Sequence, residues 1–198
     1  MSKLKMSYLL IAVIATGLIF VGWKLTSRGG YESAEYKVLE SDGAFEIREY
    51  PDLMLVTTAS KFNAQGNDGS FGRLFKYISG DNDSSSKVAM TTPVFMEPDA
   101  EGSDGQMGFV LPANVVESSI PNPSDESVEI EKRDGGKFAV LRFSGRMDSE
   151  TKTLMEEKLK NWLAAKSFAS TGKIEFAGYD APWTPGPLRR NEVLIQVK

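Results

Sequence analysis

The strongest constraint on the fold is a pattern of segments that occurs twice after residue 30. In each half, two stretches typical of β-strands precede a stretch with helical periodicity, and two more strand-like stretches follow it. Each half would leave one apolar face exposed if it folded by itself, so the halves should pack together. The pattern predicts an α+β domain: a distorted β-barrel or sandwich made of two pseudo-twofold repeats with two helices.

The first repeat begins with residues 45–49, where apolar and charged residues alternate as in a half-buried strand. A turn at residues 51–52 leads to a second strand, and the helix that follows ends at Gly80. In the second repeat, residues 128–132 form the first strand and residues 134–136 are predicted to make a hairpin turn. Its helix has four apolar residues on one face, namely Met155, Leu159, Trp162 and Leu163.

Composition restricts the chemistry. The chain contains no Cys and no His, which excludes disulfides, thiolate nucleophiles, imidazole bases and metal sites built from these residues. The formal net charge is −4 and the Lys and Arg residues are scattered. No basic stripe is present, so a nucleic-acid partner is not expected. An enzyme of this sequence would have to use carboxylates, Lys, Tyr or backbone groups.

The N-terminal region has a different character. Residues 8–23 contain no charged side chain, with Lys3 and Lys5 before them and Trp23 at their end. Such a run can form a short membrane span, a cleavable signal or a buried helix. No A-x-A cleavage site follows, which favours an uncleaved signal-anchor. The N-terminal amine, Lys3 and Lys5 slightly outweigh Lys24 and Arg28 after the run, which favours the domain on the extracytoplasmic side. Residues 1–30 are thus predicted to be a transmembrane anchor and linker, and residues 31–198 the domain.

Several segments of the domain, in this order, resemble the SOUL/haem-binding protein family. They are residues 45–50 (FEIREY), 71–80 (FGRLFKYISG), 87–94 (KVAMTTPV) and 143–145 (FSG), and a tail with YDAPWTP at 179–185 and RRNEV at 189–193. The resemblance covers the chain from about residue 31 onward. It implies a barrel of two such repeats with two helices, and haem or another tetrapyrrole as the ligand.

The resemblance places the ligand surface on the first helix. A porphyrin needs an apolar surface for its faces and cations for its carboxylates. The helix offers both, and the following strand adds one thioether, so the candidate binding residues are Phe71, Arg73, Leu74, Phe75, Lys76, Ile78 and Met90. The apolar stripe would also serve as ordinary core, and Met90 is more typical of a core filler than of an iron ligand. No catalytic residue and no metal ligand is predicted.

Two other functions stay open. An enzyme acting on a small hydrophobic molecule could use a pocket carboxylate, such as Glu175 or Glu192. A membrane-tethered interaction domain without a small ligand is the third hypothesis. For Glu192 a structural role is favoured, because an inward-pointing carboxylate in this last strand would need a bidentate arginine as its partner.

Overall fold

The computed structural model describes residues 31–61, 68–99, 105–181 and 184–198. The predicted membrane anchor at residues 8–23 lies outside these ranges. Within them, no helix combines the length and the apolar character that crossing a membrane requires.

The described residues form eleven strands, three α-helices and a 3₁₀ turn at Gly186–Leu188. The helices are α1 (Ser70–Ile78), α2 (Ala113–Ser118) and α3 (Ser149–Ala165). The strands are β1 (Glu32–Ser33), β2 (Lys37–Asp42), β3 (Phe45–Tyr50), β4 (Leu53–Ser60), β5 (Thr91–Thr92), β6 (Val94–Glu97), β7 (Gly105–Val110), β8 (Val128–Arg133), β9 (Gly136–Ser144), β10 (Ser170–Gly178) and β11 (Arg190–Val197).

Nine of the strands form one antiparallel sheet in the order β2-β3-β9-β11-β10-β6-β7-β4-β8, and β1 and β5 form a separate parallel pair. The order has an internal symmetry. The first repeat contributes β3, β4, β6 and β7, and their counterparts in the second repeat are β8, β9, β10 and β11. Replacing each of these eight strands by its counterpart gives the same strand order, read from the other end of the sheet. The α+β class is therefore confirmed, and the strand order agrees with two related repeats meeting between β6 and β10.

The sheet is not a closed barrel, which corrects the barrel that the family resemblance implied and that the sequence pattern offered beside a sandwich. β2 and β8 are its two edges in the described part of the chain, and each has one neighbour. The predicted hairpin at residues 134–136 is also wrong in its pairing. β8 and β9 separate after the turn, and β8 pairs with β4 while β9 pairs with β3 and β11. The first strand of each repeat therefore pairs with the other repeat, β3 with β9 and β8 with β4, whereas the other strands keep neighbours from their own repeat. This exchange sends β3 and β8 toward opposite ends of the sheet.

Two turns meet where these strands separate. The amide nitrogen of Gly135 donates to Asp52 Oδ1 at 2.8 Å, and Lys132 forms an ion pair of 2.7 Å with the same carboxylate. A Cβ atom at Gly135 would lie 2.5 Å from the carbonyl oxygen of Tyr50, so a larger residue would force the turns apart. The close approach of the two backbones fixes this corner of the sheet.

The prediction of two helices requires a correction as well. α2 is a third helix, six residues long, between β7 and β8. It is too short to give a clear periodic signal. Val115 packs against the core while Val116 remains 40% exposed.

The sheet has one face covered by helices and one without them. α1 packs on β4 and β7, and α3 packs on β9 and β11. The opposite face is buried by the curl of the sheet itself. Arg133, on the edge strand β8, contacts Glu175 on β10 and lies over the rings of Phe95 and Phe138. The molecule thus has an apolar core under the helices and a mixed polar and aromatic core inside the curl.

Candidate ligand-binding site

Asp68 lies two residues before the start of helix α1 and holds that start in place. The carboxylate of Asp68 accepts hydrogen bonds from the amide of Ser70 (3.1 Å), the hydroxyl of Ser70 (2.6 Å) and the amide of Lys61 (2.7 Å). Partial burial opposes ionisation, but these hydrogen bonds lower the pKa of Asp68 to about 2. The start of α1 is therefore tied to the end of β4.

The core side of α1 consists of Leu74, Tyr77 and Ile78, all buried. The Tyr77 hydroxyl donates to the carbonyl oxygen of Pro121 at 2.9 Å, which allows this polar group to lie in the interior. Burial raises the pKa of Tyr77 to about 12, with a smaller effect of the charge on Asp83. Tyr77 therefore belongs to the buried face of the helix, together with Leu74 and Ile78.

The four predicted apolar residues of α1 do not all face the same way. Leu74 and Ile78 are core residues, Phe71 is half-buried and Phe75 is 51% exposed. The rings of Phe71 and Phe75 are nearly parallel, with centroids 6.1 Å apart and an interplanar angle of 13°. Phe71 also meets the core residue Phe109 edge-on at 5.2 Å. We call Phe71 and Phe75 the aromatic shelf, a firmly supported apolar surface that reaches solvent.

The exposed side of α1 continues from the shelf to Gly72 and Lys76. A helix turns by about 100° per residue, which places Gly72 between Phe75 and Lys76 around the axis. Both Gly72 and Lys76 are exposed. A Cβ added at Gly72 would have no described atom within 4 Å. A glycine inside a helix costs about 1 kcal/mol relative to alanine, and no contact in the described structure explains that cost.

Arg73 has a structural role in this arrangement. Its guanidinium donates to the Thr58 hydroxyl at 3.0 Å, to the Ala59 carbonyl at 2.6 Å and to the Asp68 carbonyl at 3.3 Å. Arg73 thereby fastens α1 to the end of β4. Lys76 is the predicted cation that stands on the solvent side of the helix.

Met90 lies in the segment before β5 and is half-buried. It packs against the same core cluster that Phe71 contacts. This position matches the interpretation of Met90 as a core filler, a role that the flexible thioether suits.

A second cluster of functional groups lies inside the curl of the sheet. Glu192 on β11 accepts two hydrogen bonds from Arg48 on β3, at 2.9 and 3.1 Å, and a third from the Tyr179 hydroxyl at 2.7 Å. Arg48 also donates to Glu46 at 2.6 Å and to the Tyr50 hydroxyl at 3.1 Å. The expected bidentate arginine for Glu192 is present, and it comes from the other end of the chain.

These contacts set the ionisation of the cluster. Burial disfavours the charged form of Arg48, but the hydrogen bonds and the charge of Glu192 hold its pKa far above the usual range. Burial, with the charge of Glu192 second, also raises the pKa of Tyr179 well above that of an ordinary tyrosine. Burial raises the pKa of Tyr50 to about 12. The tyrosines therefore remain neutral hydrogen-bonding groups, and Arg48 remains a cation.

Arg133 and Glu175 form the other buried pair. Arg133 donates to Glu175 Oε2 through Nε at 2.9 Å and through Nη2 at 2.6 Å. Its guanidinium carbon lies 4.3–5.2 Å from the ring centres of Tyr50, Phe95 and Phe138. Both glutamates that could have acted as pocket acids are thus neutralised by arginines within the described structure.

Two features of the site were missed in the sequence. Gly72 reads as an ordinary interruption in a helical stripe, and its significance depends on knowing that its surroundings are open. Arg48 alternates correctly in a strand pattern, but charge alternation normally places an arginine in solvent. A partner 144 residues away in the chain cannot be inferred from spacing.

Comparison with known proteins shows the family of this chain. Residues 31–196 match the model of the SOUL heme-binding protein family. Heme-binding protein 1 of Mus musculus is 29% identical over 179 residues, covering 87% of this chain and 90% of the mouse protein. Heme-binding protein 1 of Xenopus tropicalis is 30% identical over 175 residues, covering 83% of this chain and 92% of its own length.

Among solved structures, the C-terminal domain of EcmrR has a TM-score of 0.54 at 13% identity, covering 82% of this chain and 98% of that domain. At that identity the similarity concerns the fold. The predicted family membership is confirmed by the match over nearly the whole described domain. This chain belongs to the SOUL heme-binding protein family.

Proposed function

We propose that this chain binds haem or another tetrapyrrole on the aromatic shelf of α1 and releases it again, as a carrier does. The observation that carries the proposal is the exposed Phe75 ring, which lies nearly parallel to Phe71, while Phe71 packs edge-on against the core residue Phe109. A contiguous apolar surface with polar residues at its rim is a feature of ligand and partner sites. Lys76 stands beside the shelf and can pair with a propionate.

The ligand would be held mainly through its faces. The sequence has no His and no Cys, so Met, Tyr and Lys are the side chains left to ligate iron. The nearby Tyr77 hydroxyl donates a hydrogen bond to a backbone carbonyl, and Met90 packs against the core, so both already have a structural role. Burial of apolar surface contributes ~25 cal/mol per Å². Association entropy removes several kcal/mol of this gain, so we expect exchangeable binding of about micromolar strength.

The test compares haem with metal-free protoporphyrin by fluorescence quenching and absorbance titration. Because the faces carry the interaction, the two dissociation constants should agree within about tenfold. Met90→Leu keeps the apolar volume and removes the thioether, and it should change the haem affinity by less than about twofold. If metal-free porphyrin binds a hundredfold more weakly, iron ligation supplies ~2.7 kcal/mol and binding through the faces is the wrong description.

The proposal includes a single-pass membrane anchor at residues 8–23, with the domain on the extracytoplasmic side. The support is the uncharged run itself, with Lys3 and Lys5 on its N-terminal side and Trp23 at an interface position. The full-length protein should stay in the membrane fraction through alkaline carbonate washing and keep its N-terminus. A soluble mature form that begins after Trp23 would contradict this part of the proposal.

We regard the protein as a binding protein rather than an enzyme. Glu175 and Glu192 are the carboxylates that an enzyme of this sequence would most readily use. Each accepts two hydrogen bonds from an arginine in the interior of the curled sheet. Such pairing suits a structural clamp better than proton transfer.

A further inference from the structure

We infer that Gly72 is the point where the ligand approaches the backbone of α1 most closely, so that the porphyrin face rests on the helix between Phe75 and Lys76. This inference rests on the proposed tetrapyrrole function and specifies how the ligand lies on the site. Three observations about the glycines, the exposed helix face and the shelf lead to it.

The first observation is that Gly72 has no conformational reason to be glycine. Two other glycines flank α1, and both have positive φ angles, 81° at Gly69 and 116° at Gly80. A residue with a side chain would be strained at either position. Gly72 lies inside the helix without such an angle, so its backbone conformation is one that any residue adopts.

The second observation is that Gly72 has no packing reason either. Glycine within a helix is commonly explained by a neighbouring element that approaches closely. Apart from Gly72 itself, its two chain neighbours and the backbone of α1, no heavy atom of the described residues lies within 4 Å of a Cβ built at Gly72. Among the described residues, none occupies the space above this position, although glycine destabilises the helix entropically.

The third observation is the position of Gly72 within the exposed face. Phe75 and Lys76 follow it by three and four residues and lie on either side of it around the axis. Because residue 72 has no side chain, the backbone of α1 is accessible between the Phe75 ring and the Lys76 ammonium group. A flat macrocycle can then contact the Phe75 ring and the helix backbone together, with one carboxylate directed toward Lys76.

Replacing Gly72 should affect stability and ligand binding in opposite directions. Gly72→Ala and Gly72→Leu should each raise the thermal midpoint, by about 2–4 °C for the alanine variant, because both residues favour a helix more than glycine does. The same variants should bind haem and metal-free protoporphyrin more weakly, about threefold for alanine and at least tenfold for leucine. Asn161→Ala, at an exposed position of α3, is the matched control and should raise the midpoint without changing either affinity.

A direct measurement of position uses the amide resonances of the glycines. Porphyrin ring currents should shift the Gly72 amide of the wild-type protein more than that of any other assigned glycine, with Gly43 and Gly172 as distant references. Loss of thermal stability in Gly72→Ala would show that residue 72 packs against another segment, and it would overturn the inference. So would a leucine variant that binds within twofold of the wild type.

The failure of the proposed function is distinguishable from the failure of the inference. If the wild-type protein binds neither haem nor metal-free protoporphyrin, both fall together. If the wild type binds, and Phe75→Ala weakens binding while Gly72→Leu does not, the shelf remains the site. In that case only the contact at Gly72 is wrong.

Discussion

Arg48→Met is expected to destabilise the protein by about 3–5 kcal/mol, the typical cost of removing one partner from a buried ion pair. The reason is the charge left behind. Glu192 would keep a single hydrogen bond, from Tyr179, in an interior where it is 1% exposed. Glu46 would keep the partly exposed Arg142, which lies 3.2 Å away. Urea unfolding followed by circular dichroism measures the change.

A double variant separates the cost of the broken pair from the value of the intact one. Arg48→Met combined with Glu192→Leu removes both charges, so it should recover a large part of the lost stability. Lys132→Met removes an ion pair of similar length, 2.7 Å, whose side chains are 54% and 58% exposed. This control should leave the unfolding midpoint almost unchanged, since exposed pairs contribute little. If Arg48→Met changes the unfolding midpoint as little as Lys132→Met does, the ion pair between Arg48 and Glu192 does not stabilise the fold.

The ion pair illustrates which part of the fold was accessible from the sequence. The need of Glu192 for a bidentate arginine follows from its place in an apolar strand. The identity of the partner depends on β3 and β11 lying on either side of β9, and that order results from strand exchange between the repeats. Local signals at residues 134–136 favour a hairpin. Tertiary pairing with the other repeat overrides them, which explains why the repeats were predictable and the pairing was not.

The site shows a similar division. The periodicity of α1 correctly identified a helix and an apolar stripe, but a stripe spanning residues 71, 74, 75 and 78 is broader than the face that the sheet covers. Tyr77 lies in the core because its hydroxyl donates a hydrogen bond to the Pro121 carbonyl oxygen. The centre of the buried helix face is therefore shifted away from Phe75. The carbonyl belongs to a loop 44 residues later, so the sequence pattern could not indicate which phenyl ring would remain outside.

Leu74 and Phe75 are adjacent in the chain, and their alanine variants should have opposite phenotypes. Leu74 is 0% exposed and belongs to the core cluster under α1. Leu74→Ala should lower the free energy of unfolding by about 2–5 kcal/mol, through the lost transfer energy and the cavity that remains. Its affinity for haem, measured where the variant is still folded, should stay within about threefold of the wild type.

Phe75→Ala should do the reverse. Half of the Phe75 side chain is already in solvent, so its removal creates no internal cavity and should change stability little. It removes the outer ring of the shelf, and the affinity for both haem and metal-free protoporphyrin should fall at least tenfold, about 1.4 kcal/mol. Leu154→Ala removes a comparably exposed apolar side chain on α3, 46% exposed, and should not affect binding. A Phe75→Ala variant with wild-type affinity for both ligands would place the tetrapyrrole elsewhere on the molecule, because Phe71, the other ring of the shelf, is only partly exposed.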